Sequence, residues 1–203
     1  DELSQFRKAA YCSFHTTAGY LEQAVCARFG HSRKQLDPFI RAVQKIFPYD
    51  AGYFHDRMQL RDELSDSQKE REPVNADSHL TFIGAGLRNC VTYLNRSDEP
   101  VYFIELDGIY KDYVRRRRTM VMAYNNTEIV HRGRVAIPVD NGHAIDSFNL
   151  KDARYGLFDQ LEDWSRQYGV DRGCIDIRLA PEEDHAGMTV NEYETLLMRN
   201  DLP

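Results

Sequence analysis

Short runs rich in apolar, β-branched and aromatic residues are separated by polar turn residues along the first two-thirds of the chain. Such runs are typical of β-strands. The runs are YCSFHTT at 11–17, LTFIGAGL at 80–87, NCVTYL at 89–94, VYFIEL at 101–106 and RTMVMAY at 118–124. Because glycine, asparagine and aspartate turns separate most of them, the pattern predicts consecutive antiparallel strands.

A helical period marks other segments. The run FIRAVQKIF at 39–47 has its apolar residues at helical spacing, with Pro38 in a first-turn position and Pro48 closing the element. Residues 4–10 are predicted to end a helix, and residues 153–170 to form one with an apolar face. Further on, the sequence favours a short strand and an Asn-Gly turn within 135–145, a strand at 174–180 and a last helix at 190–199.

The distribution of apolar residues also predicts the domain organisation. Residues 56–74 are charge-rich and have no large apolar side chain after Leu64 except Val74, which predicts a mobile surface loop with at most one helical turn. Such a loop could cover a pocket. Residues 126–203 have too few apolar residues for a core of their own, so they are predicted to form an extension packed on a main domain at 1–125.

Composition narrows the class of protein. The chain has 203 residues, 29% of them charged, and a formal net charge of -6, which argues against a nucleic-acid binder because such proteins carry a concentrated basic surface. No run approaches the roughly 18 to 20 apolar residues of a membrane span, and the charged amino end lacks the apolar run of a secretory signal. The four cysteines form no CxxC pair. These features predict a cytoplasmic protein with reduced thiols.

Three histidines lie in short polar contexts at the borders of predicted elements. They are His15 in HTTAG, His55 in GYFHD and His79 in NADSHL. Three neutral imidazoles that converge would suit a divalent ion such as zinc, with an open position for water or substrate. Because no HxH or HExxH motif joins any two of them, three unrelated hydrogen-bonded or surface histidines remain the alternative.

The concentrated basic run is RRRR at 115–118. In an extended strand alternate side chains point to opposite faces, so two of these arginines could reach a phosphate group. The alternative is an exposed edge strand whose positive charge discourages pairing with another strand.

A resemblance to a known family rests on the order of five motifs. These are HTTAG at 15–19, Asp-Pro at 37–38, GYFH at 52–55, NADSHL at 75–80 and ELDG at 105–108. The order is similar to that of the YjbQ-like family, where HTTA, Asp-Pro, Tyr-x-His, a polar segment ending in His-Leu and Glu-x-Asp-Gly precede arginines. The resemblance covers residues 10–124, and no counterpart is identified for 126–203.

The resemblance implies a fold and an activity. It implies an α+β protein with an antiparallel β-sandwich core and flanking helices, assembled as a homo-oligomer, a trimer. It also implies secondary thiamine-phosphate synthase activity, and therefore a phosphorylated small molecule as the partner, with no role for nucleic acid or membrane.

The resemblance also implies roles for particular residues. His15, His55 and His79 would line a pocket that holds either a divalent metal, for which zinc is the candidate, or a phosphate group. Glu105 and His79 would be catalytic, with Glu105 moving protons into a neighbouring subunit's pocket. The expected substrate-binding residues are Thr16, Thr17, Arg116 and Arg118.

The chain departs from the family pattern at several positions. Gln23 stands where the family usually has asparagine, RSDE at 96–99 replaces Gly-x-Trp-Gln, and Thr81 replaces a lysine. Two hypotheses follow. The first is an enzyme, either a thiamine-phosphate synthase-like transferase or a metal-dependent phosphate-ester enzyme. The second is a catalytically inactive member that senses a ligand or binds a partner.

Overall fold

A computed structural model describes residues 2–61, 64–110, 113–138, 146–150, 152–183 and 186–189. The chain divides into two compact units, Asp1–Thr127 and Glu128–Pro203. It is a mixed α/β protein with small sheets and several helices.

The first unit contains most of the regular structure. Its strands are β1 (Lys8–Ser13), β2 (Ala18–Tyr20), β3 (Cys90–Leu94), β4 (Phe103–Glu105), β5 (Ile109–Tyr110), β6 (Tyr113–Val114) and β7 (Thr119–Tyr124). Its helices are α1 (Gln23–Arg28), α2 (Arg33–Ile46), α3 (Asp66–Lys69) and α4 (Ala76–Gly84). Short 3-10 turns lie at Glu2–Gln5, Phe54–Asp56 and Met58–Leu60.

Three small antiparallel sheets organise this unit. Strand β1 lies between β3 and β7, so its last residues are held on both sides. Strand β2 pairs with β4 and brings Ala18 opposite Glu105, while β5 and β6 form a hairpin. The predicted strands at 89–94, 101–106 and 118–124 are confirmed, each shorter than predicted. The strand predicted at 11–17 is displaced, because β1 begins at Lys8 and ends at Ser13, so His15 lies beyond its end.

The hydrophobic core lies between the sheet and the helices. Tyr93 and Val91 of β3 pack with Leu21, with Leu36, Ile40 and Val43 of α2, and with Phe82 of α4. Burial of aliphatic and aromatic side chains of this size contributes about 1.5–3 kcal/mol each. The predicted helix at 39–47 is confirmed, but it begins earlier, at Arg33, so Pro38 lies inside it rather than in its first turn.

The strand predicted at 80–87 is wrong, because this segment lies mostly in helix α4. Six of the nine residues of α4 are buried, so the sequence of this helix shows no clear division into an apolar and a polar face. Its start depends on a carboxylate distant in sequence: Asp56 Oδ1 accepts the backbone N–H groups of Asn75 and Ala76, both at 3.0 Å. These are donors that a helix leaves unsatisfied at its first turn.

Two other predictions in this unit have mixed outcomes. The helix predicted to end within residues 4–10 is wrong, since a 3-10 turn ends at Gln5 and β1 begins at Lys8. The charge-rich segment 56–74 contains the one helical turn predicted for it, α3, where Ser65 N–H donates to Gln68 Oε1 at 2.9 Å. However, its Arg61 is only 4% exposed, which a surface loop would not explain.

The second unit contains strands β8 (Asp146–Asn149) and β9 (Ala186–Thr189), which are parallel, and helix α5 (Leu157–Gln167). The prediction of α5 is confirmed, and within this unit the Trp164 ring lies 4.3 Å from that of His131. The strand predicted at 174–180 is wrong, because those residues have no regular structure. Residues 139–145 and the helix predicted at 190–199 lie outside the described residues.

Candidate functional site

The start of α4 and the turn at residues 54–56 share one carboxylate. Asp56 Oδ1 accepts the two backbone N–H groups of the helix start and also lies 2.9 Å from His55 Nδ1. A carboxylate at a helix N-terminus is stabilised by the helix dipole. Asp56 therefore remains an acceptor that holds the His55 ring with its Nδ1–H pointing at the carboxylate.

His55 and His79 form a buried pair. His55 is 0% exposed and His79 is 4% exposed, and their ring centroids lie 4.9 Å apart. With a proton on Nδ1, the Nε2 atom of His55 is an acceptor, and Arg61 Nη1 lies 3.5 Å from it. These contacts place the His55 ring between the Asp56 carboxylate and the buried Arg61 guanidinium group.

The surroundings of His79 keep it neutral. Burial lowers its pKa well below the ordinary value, and the charges of His55, Arg61, Arg115 and Arg117 lower it further. A positive charge on this ring would be both desolvated and repelled by three arginines. At neutral pH the His79 imidazole is thus uncharged.

Lowering the pH from 7 to 5.5 should destabilise the first unit through His79. Its pKa in the folded chain lies well below 6.5, whereas the unfolded chain titrates near that value. In this window the unfolded state binds more protons, so the free energy of unfolding should fall by up to about 1 kcal/mol per pH unit. Urea unfolding at several pH values measures the slope, and an unchanged slope in His79→Gln would contradict this assignment.

Asp107 is the centre of a second buried network, next to the first. Its carboxylate accepts hydrogen bonds from Thr17 Oγ1 at 3.3 Å and from Asn75 Nδ2 at 2.5 Å. Arg115 Nη1 donates to Oδ2, and Arg117 Nη2 lies 3.4 Å from Oδ1. Because the backbone of Asn75 contacts Asp56 and its side chain contacts Asp107, Asn75 joins the two networks.

Glu105 belongs to the same network through Arg117. Both of its carboxylate oxygens accept from this guanidinium, which reaches Oε1 at 2.7 Å, and Oε1 also accepts the Asp107 N–H at 3.0 Å. Arg117 additionally donates to Thr17 Oγ1 at 3.1 Å. A bidentate pair of this kind fixes the geometry of both partners. Glu105 therefore holds the Arg117 guanidinium group in place.

The arginine run alternates as an extended chain should. Arg115 and Arg117 face the carboxylates, while Arg116 and Arg118, the two predicted to bind substrate, are exposed. The Arg118 guanidinium lies 4.8 Å from the centre of the Phe14 ring. The alternation was predicted correctly, but the sequence could not show which pair faces inward.

His15 lies just beyond the end of β1, and its hydrogen-bond partners differ from those of His55 and His79. Its Nε2 accepts the backbone N–H of Arg118 at 2.7 Å, and its carbonyl oxygen accepts from Asn89 Nδ2. Burial lowers its pKa, and Arg117 lowers it further. Of the predicted substrate-binding threonines, Thr17 is buried in the Asp107 network and Thr16 is half-buried beside it.

The three histidines do not fit a shared metal ion as they are placed. The Nε2 lone pair of His15 accepts from Arg118, and both ring nitrogens of His55 have protein partners. Among the described residues, no group of three or more histidine, cysteine, aspartate or glutamate side chains could hold a metal ion. The metal site therefore stays a prediction that these contacts do not favour.

Several buried acceptors in this region have no hydrogen-bond partner in the described part of the chain. They are Asp56 Oδ2, Asn75 Oδ1 and Asp77 Oδ1. Burial also raises the pKa of Asp77. Buried polar atoms are nearly always satisfied in folded proteins, so unsatisfied ones call for a bound molecule or ordered water. This is the feature expected where a ligand with hydrogen-bond donors enters.

Sequence reasoning missed part of this site. Asn75 and Asp107 lie inside the motifs NADSHL and ELDG, so their motifs were noticed without their roles. Asp56 and Arg61 lie in the charge-rich segment, where nothing in the pattern distinguishes a buried charge from an exposed one. Only the packing of α4 against that segment brings them inside.

Two of the departures from the family pattern contact each other. Gln23 Nε2 donates to Glu99 Oε2 at 2.5 Å, and Gln23 also bonds the backbone of Leu94 through both ends of its amide. Arg96 Nη1 donates to Glu99 Oε1 at 2.6 Å. The changed residues thus form one local network that joins α1 to the end of β3.

Comparison with known proteins finds no family model, no curated protein and no solved structure that matches this chain. Within the described residues, no helix is both long enough and apolar enough to cross a membrane.

Proposed function

We propose that the first unit is an enzyme with a YjbQ-like β-sandwich fold that acts on a phosphorylated small molecule. The motif order in the sequence supports this proposal, and so does the clustering of four of those motifs in one polar site. HTTAG supplies Thr17, GYFH supplies His55, NADSHL supplies Asn75 and His79, and ELDG supplies Asp107. The Asp-Pro motif lies on α2, where Asp37 pairs with Arg33 on the surface.

One observation carries the proposal: two fully buried histidines lie beside a buried arginine and carboxylates with unpartnered oxygens. Desolvating so many polar groups costs stability, and a hydrophobic core would need none of them. Titratable groups with strongly shifted pKa values cluster at functional sites for this reason. The combination points to chemistry rather than to packing.

The charges favour an anionic ligand over a metal ion. The positive charges of Arg61, Arg115 and Arg117 all lower the pKa of His79. Guanidinium groups match phosphate oxygens in geometry and charge. Asp107 and Glu105 already pair with Arg115 and Arg117, so a phosphate would compete with these carboxylates for the guanidinium groups. Of the two ligands left open by the sequence, we favour phosphate, which the guanidinium groups match.

The protonation states suggest how the residues would act. His79 is a neutral base at pH 7, and His55 is held in one tautomer by Asp56. A phosphate group that competes for Arg117 would release the Glu105 oxygens from their bidentate contact. Glu105 would then be able to move a proton, as the resemblance implies. Arg117 is thus the residue through which ligand binding and proton transfer would be linked.

Assembly as a trimer forms part of the same proposal. The hairpin of β5 and β6 follows Glu105 directly and exposes Ile109, Tyr113 and Val114 at 75%, 65% and 67%. Apolar side chains at this exposure are expected to be covered in an assembly. A neighbouring subunit docked on this hairpin would contact a segment that follows Glu105 closely in the sequence.

Thiamine phosphate should stabilise the protein, whereas thiamine should not, because the two differ only in the phosphoryl group that the arginines recognise. At about a hundred times its dissociation constant, a ligand adds about 2.7 kcal/mol, which a thermal-shift assay detects easily. Arg115→Gln should lose this response, while Arg41→Gln on the exposed side of α2 should keep it. Equal responses to thiamine phosphate and thiamine, or none to either, would contradict the proposal.

Activity and metal assays on the same purified proteins distinguish an enzyme from an inactive ligand-sensing protein and from a zinc-binding protein. An enzyme should form or consume thiamine phosphate and should lose at least about a hundredfold in rate in His79→Asn. The second candidate, an inactive ligand-sensing member, is favoured by the bidentate contact that occupies Glu105. It would be stabilised without turnover. Stoichiometric zinc that disappears in His79→Ala would instead support the metal site.

A further inference from the structure

Cys12 and Cys90 face each other across two neighbouring strands. They are direct partners in the register of β1 and β3, although 78 residues separate them in sequence. Their Sγ atoms lie 2.9 Å apart, and no disulfide joins them. This distance is shorter than two sulfur atoms adopt without a specific interaction.

The type of strand pair favours a covalent bond. Ser13 N–H donates to Asn89 O at 2.7 Å, so Ser13 and Asn89 form a hydrogen-bonded pair and the adjacent Cys12 and Cys90 form a non-hydrogen-bonded one. In such pairs the Cα atoms are about 4.5 Å apart and the side chains approach closely. That separation lies within the range that a disulfide accepts, so the bond needs no large backbone movement.

The pair is accessible, and Cys26 is buried elsewhere in the same unit. Tyr11 and Val91 contribute to the hydrophobic core. Cys12 and Cys90 are their neighbours in the two strands and therefore face the opposite side of the sheet. Cys90 is exposed and Cys12 is half-buried. Cys26 is buried against the Tyr93 hydroxyl at 3.2 Å, and Cys174 belongs to the second unit.

We propose that Cys12 and Cys90 are a redox-sensitive pair that forms a reversible cross-strand disulfide with a peroxide as oxidant. The Cys90 thiolate attacks the peroxide, becoming a sulfenic acid as one water leaves. The Cys12 sulfur then displaces the second water to form the S–S bond. Two thiols are oxidised by two electrons in total, and one peroxide is reduced to two waters. A dithiol such as reduced thioredoxin would reverse the reaction.

The position of the bond ties it to the candidate site, although the inference does not depend on the proposed function. Asn89, the neighbour of Cys90, holds the backbone at Ser13 and donates its side-chain N–H to the His15 carbonyl. The disulfide would therefore lock the end of β1 from which His15, Thr16 and Thr17 continue. Oxidation is expected to stiffen this end and to raise the thermal stability of the first unit.

Intact mass spectrometry of the full chain after brief treatment with hydrogen peroxide tests the proposal. The wild type and Cys174→Ser should lose two hydrogen atoms, recover them with thioredoxin, and yield one cross-linked peptide joining the segments around residues 12 and 90. Cys12→Ser and Cys90→Ser should not. The wild-type melting temperature should rise by about 5–10 °C on oxidation, because the bond closes a long loop of the unfolded chain. Cys12→Ser should show no such rise.

Three results would overturn the proposal. One is oxygen addition at Cys90 in the wild type without loss of the Cys12 thiol. Another is a disulfide that involves Cys174 and joins two chains. The third is loss of the two hydrogen atoms in Cys12→Ser, which would assign the bond to other cysteines. Each readout is independent of catalysis, so failure of the proposed enzyme activity would leave this test intact.

Discussion

Replacing Asp107 by asparagine should destabilise the first unit by about 3 kcal/mol. The carboxylate accepts from Thr17, Asn75, Arg115 and Arg117, and its side chain is only 6% exposed. The variant keeps the size of the residue but removes its charge, which leaves Arg115 without its acidic partner and Arg117 with Glu105 alone. Equilibrium unfolding in urea measures the difference.

The matched control is Asp98→Asn, since Asp98 is an exposed aspartate in a turn of the same unit. Substitution there should change the free energy of unfolding by less than about 0.5 kcal/mol. If Asp107→Asn were equally mild, the network would not hold Asn75 and the start of α4 as described. The variant should also lose the stabilisation by thiamine phosphate, because its arginines would no longer be held in place.

Replacing Gly19 by alanine should cost about 2–3 kcal/mol, the range seen when a methyl group is forced into a packed interior. A Cβ atom at this position of β2 would lie 2.5 Å from the backbone oxygen of Arg88 and 2.8 Å from the Phe82 ring. The neighbouring Tyr20 exchanges backbone hydrogen bonds with Arg88 at 2.9 Å and 2.7 Å. The carbonyl therefore cannot move without breaking this bridge.

Gly84→Ala provides the contrast for Gly19. Its Cβ would also meet a close atom, at 2.8 Å, but that atom belongs to the side-chain ring of Phe47, which can shift. Alanine is also the better helix former at the end of α4. We expect a change of less than about 1 kcal/mol, measured by urea unfolding. Equal costs for the two variants would contradict the claim that the fixed Arg88 carbonyl leaves no room for a Cβ atom at Gly19.

Much of the local structure could be predicted from the sequence. Strand β3 alternates buried and exposed residues, β1 and β7 are short runs rich in apolar residues, and helices α2 and α5 show the helical period. Local side-chain patterns determine these elements because each buries one face. Helix α4 was not predicted, because most of its residues are buried and the run after His79 has no polar face that would show a helical period.

The site was predicted only in part for a similar reason. Of the three histidines that the motifs singled out, His55 and His79 lie side by side, with a distance of 4.9 Å between their ring centroids. His15 was grouped with them because all three histidines have polar neighbours, but its Nε2 instead accepts the backbone N–H of Arg118. Spacing along the chain does not determine the direction of a ring.

The sequence by itself determined which residue types are present, their order in motifs and the period of most elements. Tertiary structure alone decided that Asp56 accepts the N–H groups at the start of α4 and that Arg61 is buried. It also decided that Arg115 and Arg117 face the carboxylates. The physical reason is that burial of a charge depends on partners brought together from distant segments, as Asp107 is with Thr17 and Asn75. A local pattern records the propensity of its own segment, whereas such a network exists only once the segments have packed.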